Sequence, residues 1–97
     1  MFYYSVFKSG GDVLVAICDG KELGRKIPFG KIVFEVKKDF YGSKKCKAEE
    51  VVKIVRDATI INAVGREIIE LLIKEGYIDE ENVMKIGDTL HAQMVTL

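Results

Sequence analysis

The chain has no tryptophan, one proline, one histidine and two cysteines among its 97 residues. Its only side-chain amides are Asn62, Asn82 and Gln93. Each shortage removes an option. Two cysteines, Cys18 and Cys46, with no C-x-x-C pair and no Cys/His ligand spacing, offer no zinc site, and no metal is expected. A reducing compartment keeps the two thiols apart, and Cys18, ending an apolar run, reads as a small buried hydrophobe. The patterns G-x-x-x-x-G-K-S/T, G-x-G-x-x-G and G-x-S-x-G are all absent. The common phosphate loops, dinucleotide sites and hydrolase elbows are therefore not expected, and no cofactor is. No apolar stretch approaches the ~20 residues of a membrane span, and the start carries no basic leader. The expectation is a cytoplasmic protein without membrane contact.

What is present is the composition of a folded domain: 48% apolar and 31% charged residues. By size alone, the folded surface is expected to be roughly 5,600 Å2, against about 15,800 Å2 for the unfolded chain. About two thirds is then buried, enough for a core without disulfides. The low amide count with abundant Lys, Glu and Ile is a thermophile-like bias. Net charge is zero, yet residues 1–47 carry +5 and residues 48–97 carry −5. Such asymmetry fits a polyanion-facing side, pairing of the two halves with each other, or pairing with a second copy as a homo-oligomer.

Patterning predicts a single α+β domain over residues 1–97: N-terminal β strands, two central helices and a C-terminal β hairpin, on a mixed or antiparallel sheet. Strands are expected at 2–8 and 13–18, joined by the turn Ser9-Gly10-Gly11-Asp12. Pro28 and Gly30 should break the chain before an alternating strand at 31–36. The segment 37–47 reads as a polar loop. A helix starting at Ala48 carries the stripe Val51, Ile54, Val55 and Ala58. A second helix is expected from about Thr59 to Glu75, capped by Asp57, with Asn62 and Gly65 inside it and Gly76 ending it. Residues 83–86 and 92–96 read as the closing hairpin.

Two groups are candidates for chemistry. The first is Lys37, Lys38, Phe40, Tyr41, Gly42, Lys44 and Lys45. Lysines neutralise phosphates and flat rings stack on unpaired bases, which suits RNA; Gly42 allows close backbone approach to a ligand. The bland alternative is that both rings pack on the core and the lysines are merely solvated. Lys21, Arg25, Lys26 and Lys31 would extend the basic face if their loop lies beside it. The second is a polar cluster of Cys18, Asp19, Asn62, His91 and Gln93. On a strand, His91 and Gln93 project from one face. His91 with Cys18 or Asp19 would make an acid–base pair, while a structural histidine is the alternative. Nothing else suggests an enzyme, and no catalytic residue is assigned.

An ordered set of segments carries a resemblance. It comprises Leu14-Val15-Ala16-Ile17-Cys18-Asp19, Glu22-Leu23-Gly24, Phe40-Tyr41-Gly42, Ala58-Thr59-Ile60, Asn62-Ala63-Val64-Gly65, Ile86-Gly87 and His91-Ala92-Gln93. Together they span nearly the whole chain and resemble the archaeal family called domain of unknown function 424. The resemblance implies a small archaeal cytoplasmic protein without an established reaction. Some classifications give the family an RNA-binding role, so RNA or a ribonucleoprotein is an expected partner. Two loops depart from the family pattern. Ser43 stands where a second glycine follows Phe-Tyr-Gly, and Gly87-Asp88-Thr89-Leu90 replaces a Gly-Val-Pro type.

Overall fold

A computed structural model describes residues 1–96 of the chain; Leu97, within the expected domain, lies outside the described residues. Strands β1 (Phe2–Ser9) and β2 (Asp12–Asp19) form the expected hairpin about Gly10-Gly11. Then come β3 (Lys26–Phe29), β4 (Ile32–Glu35), the one-turn helix α1 (Lys38–Tyr41) and β5 (Lys44–Cys46). Helix α2 (Val51–Val55), strand β6 (Ile60–Val64), helix α3 (Arg66–Lys74), and β7 (Val83–Ile86) with β8 (Thr89–Val95) complete it. Six strands make one mixed sheet in the order β5-β1-β2-β6-β8-β7, in which only the central β2–β6 pair is parallel. Strands β3 and β4 form a separate two-stranded arm.

The α+β class, the terminal hairpins and the apolar stripe of α2 agree with the sequence reading. Val51 and Val55 are fully buried, and Gly76 takes the positive φ that closes α3. Four local expectations do not hold. Residues 60–64 form a strand, not the first half of a helix. Ile61 and Ala63 are buried on one face and Val64 on the other, and a segment apolar on both faces carries no readable period. Asp57 caps nothing; it is exposed in the turn after α2. The loop 37–47 contains α1 and β5. Pro28 lies within β3, a strand paired only to β4, where a missing N–H costs no ladder bond.

Gly65 belongs to the junction of β6 and α3, not to a helix interior. Its φ of 122° excludes other residues, and a Cβ there would overlap the carboxylate of Asp19. That carboxylate reaches from the end of β2 to α3, accepting from the Glu67 N–H at 3.0 Å and the Ile68 N–H at 2.8 Å. It thus satisfies two of the free donors at the start of the helix.

The sheet separates two cores. Helices α2 and α3 cover one face, burying Phe2, Val15, Ile17, Ile61, Ala63, Ile68, Ile69 and Leu72. On the other face a smaller core of Ala16, Cys18, Ile27, Val36, Tyr41, Val64 and Ile86 lies under the arm and α1. Cys18 and Cys46 are both buried, free thiols, one in each core.

Candidate functional site

Side chains alternate across a strand, so the register assigns each residue to a face. On the arm side, three lateral rows result. Phe7, Leu14, Ile60 and Val95 lie side by side across β1, β2, β6 and β8. Next come Ser5, Ala16, Asn62 and Gln93, then Lys45, Tyr3, Cys18, Val64, His91 and Met84. The arm and α1 roof the last row and part of the middle one. The first row is covered only at its Phe7 end, by Phe40 of α1: Phe7 is still 40% and Val95 59% exposed, with Leu14 and Ile60 half-buried. At roughly 4.8 Å per strand it is an apolar ledge about 14 Å wide.

Asn62 is the centre of the polar chemistry. Its Oδ1 accepts from the Tyr41 hydroxyl, and His91 Nε2 stands 3.1 Å from the same oxygen. A carbonyl oxygen only accepts, so Nε2 carries the imidazole proton and Nδ1 is left as an acceptor. Phe34 of the arm meets the His91 ring edge-on, with centroids 5.2 Å apart. Burial pulls the His91 pKa below its ordinary value, favouring the neutral ring. Burial likewise pushes the Tyr41 phenol upward and the Cys18 thiol up to about 12, the latter helped by neighbouring Asp19. These groups are neutral hydrogen-bonding partners, not activated nucleophiles. An open cavity of about 220 Å3, lined by Asn82, Met84, His91, Ala92 and Gln93, adjoins the chain.

The polar cluster read from the sequence is therefore assembled in part. Asn62 and His91 touch, and Gln93 sits opposite Asn62 in the register. Cys18 shares the His91 row but lies two strands away, with Val64 between. Asp19 is engaged with α3, and burial raises its pKa against the lowering effect of the two helix N–H groups. Neither the Cys18–His91 nor the Asp19–His91 pair is formed. Among the described residues, no three His, Cys, Asp or Glu side chains are grouped to hold a metal ion.

The lysine–aromatic segment also divides. Tyr41 is 3% exposed and its hydroxyl is bonded to Asn62, so its ring is not available for stacking. Gly42 is pressed against Leu23 and the Lys38 carbonyl, which makes its small size a packing requirement rather than a ligand approach. Phe40, half-buried, stands edge-on to Tyr41 and stacks on Phe7 with centroids 5.6 Å apart and planes 14° off parallel. Lys37, Lys38, Lys44 and Lys45 are exposed. Pairing of Lys45 with Tyr3 and of Lys44 with Tyr4 sends these two lysines to opposite faces. Lys45 Nζ lies 5.6 Å from the Tyr3 ring centroid, on the arm side.

The second basic group is adjacent in part. Gly24 bonds to the Val36 carbonyl, Arg25 accepts from Val36, and Gly24 faces the Lys38 side chain, so residues 21–25 adjoin α1. Gly24, Glu35, Lys37, Lys38 and Asp39 border an open cavity of about 460 Å3. Arg25 itself is neutralised by Glu22 at 2.7 Å and Asp88 at 3.0 Å, and that contact holds the Asp88 carboxyl below its usual range. Among the described residues, ion pairs within 4.0 Å involve Arg25 alone. Sequence reasoning missed Phe7, Leu14, Ile60 and Val95. Strands at 2–8 and 13–18 are expected from the sequence, but the ledge needs the register of β6, a segment expected there to be helix.

These features define a small α+β domain whose mixed sheet is sealed by helices on one face and half-open on the other. A family model described as "Protein of unknown function (DUF424)" matches residues 7–97, and the chain belongs to that family. A crystal structure of an uncharacterized conserved protein from Methanopyrus kandleri shares the fold. Its TM-score is 0.82 at 22% sequence identity, over 99% of this chain and 91% of that one. Among curated proteins, none matches the sequence. Among the described residues, no helix is long and apolar enough to cross a membrane.

Proposed function

We propose that the protein binds single-stranded RNA on the half-open face of its sheet. The observation that carries this reading is the Phe7–Phe40 stack. It puts two partly exposed rings at the covered end of an apolar ledge whose remaining length is open, on the face that also holds Asn62 and Gln93. Unpaired bases stack on such surfaces, and amides hydrogen-bond base edges. Lys37, Lys38 and Lys45, free of carboxylate partners among the described residues, supply phosphate contacts at the rim. Phe40, Lys37, Lys38 and Lys45 take the roles expected from the sequence, Lys44 falls on the opposite face, and Phe7 takes the place given there to Tyr41.

Three phosphate contacts to a single strand give a slope of about −2 in log K against log salt. Fluorescence anisotropy with labelled single-stranded RNA across a salt series measures it. Phe7→Ala is expected to weaken binding about tenfold through lost stacking. Replacing Lys37, Lys38 and Lys45 together with Ala should flatten the salt slope. Absence of binding at low salt, or binding indifferent to both changes, overturns the proposal.

A further inference from the structure

The opposite end of the sheet carries a second apolar surface, which meets the proposed RNA face only at Gln93. The β3–β4 arm is anchored at its base by buried Ile27 and by Phe34 against His91. Beside the β7–β8 turn, Ile27 Cγ2 and the Pro28 carbonyl fill the space where a Gly87 side chain would stand. Towards the tip, Phe29 is 39%, Ile32 62% and Val33 61% exposed. These three large apolar side chains share a four-residue-per-strand hairpin with Lys31 at the tip and with Lys26 at the base, the latter opposite Glu35. The neighbouring strand β7 is the sheet's outer edge, so one side of its backbone has no strand partner. It is only four residues long, and it presents Met84 at 51% exposure on the arm side of the sheet. Just before it stand the exposed acids Asp79, Glu80 and Glu81.

We propose that these elements form an isologous homodimer in which the β7 strands of two copies pair antiparallel and each arm lies over its partner. Antiparallel pairing puts the Ile86 end of one β7 beside the Val83 end of the other. The arm belongs to the Ile86 end, next to Gly87, and the acidic run to the Val83 end. One two-fold operation therefore brings Phe29 and Ile32 of one copy over Met84 and the Asn82–Gln93 cavity of the other, and Lys26 and Lys31 towards Asp79, Glu80 and Glu81. The charges are complementary at both symmetry-related ends, which is what a self-complementary surface requires. The opposite imbalance of the two halves of the chain is the same complementarity at low resolution. At the other edge, β5 is three residues long and carries Lys44 and Lys45, which disfavour strand addition. Pairing at β7 thus closes into a dimer instead of growing into a filament.

Sedimentation velocity over a concentration series tests this, with circular dichroism as the check that each variant is folded. The wild-type chain should pass from monomer to dimer. Ile86 and Thr89 flank a two-residue turn and bond to each other, which leaves the Lys85 N–H facing outward. Lys85→Pro should then abolish the dimer without losing a β7–β8 bond. Lys31→Glu should raise the dimer Kd about tenfold, and adding Glu80→Lys to Lys31→Glu should restore it. A wild-type monomer at every concentration in low salt, a dimer unaffected by Lys85→Pro, or charge reversal without rescue each overturns the proposal.

Discussion

The two faces of the six-stranded sheet are built from alternate residues of the same strands, yet they serve opposite ends. The face under α2 and α3 is apolar and closed at its centre: Val15, Ile17, Ile61 and Ala63 are all inaccessible to solvent. The face under the arm and α1 is interrupted by Asn62, Gln93 and His91, and its outer row is open. One face is where burial stabilises the fold at about 25 cal/mol per Å2 of apolar surface. The other forgoes part of that stabilisation, since its polar groups and the outer end of its ledge stay open to solvent. The difference shows that core and candidate site need not be separate regions. A strand that alternates between them carries both.

Substitutions break this comparison in a graded way. Ile61→Ala on the closed face should cost about 3–4 kcal/mol in urea unfolding, since two helices cannot collapse into the cavity. At the junction between faces, Gly65→Ala should cost about 2–3 kcal/mol, from the forbidden φ and the collision with Asp19. On the mixed face, Asn62→Ala should cost about 1–2 kcal/mol, because the Tyr41 hydroxyl loses its acceptor in a buried site. Gln93→Ala, on the same row, should stay within about 0.5 kcal/mol in stability while weakening the proposed RNA binding. A Gln93→Ala cost matching that of Ile61→Ala would erase the distinction between faces.

Acid sharpens the contrast further. His91 titrates near 6.5 in the unfolded chain and lower in the folded one. As pH falls through 6.5, the unfolded state takes up the proton first. Stability is therefore full above 6.5, declines below it and levels off beneath the folded-state pKa. His91→Gln should remove that part of the slope in unfolding curves compared between about pH 7.5 and 5.5.

Much of the architecture was readable in advance, and the exceptions share a cause. The aromatic and β-branched content of 2–8, the continuous run 13–18 and the closing hairpin have local signatures. Asn62 belongs to the polar cluster expected from the sequence, and the structure gives it Tyr41 and His91 as partners. Residues 60–64 were misread because both of their neighbours lie far along the chain: β2 on one side and β8 on the other. The sequence leaves Tyr41 open between stacking on a base and packing on the core for the same reason, since its hydroxyl partner is 21 residues away. Gly65 shows the limit most clearly. Its glycine is required by a carboxylate 46 positions earlier, and no local pattern announces that.

The bond from Asp19 to the start of α3 spans 48 residues, and the parallel pairing of β2 with β6 closes a comparable length of chain. Neither can form until the arm, α1, β5 and α2 have been gathered out of the way, so the loop entropy is lost before those contacts return anything. Refolding should accordingly be slow for a chain of this size. The central strands would lock last, with the β1–β2 and β7–β8 hairpins already present as separate local units awaiting them.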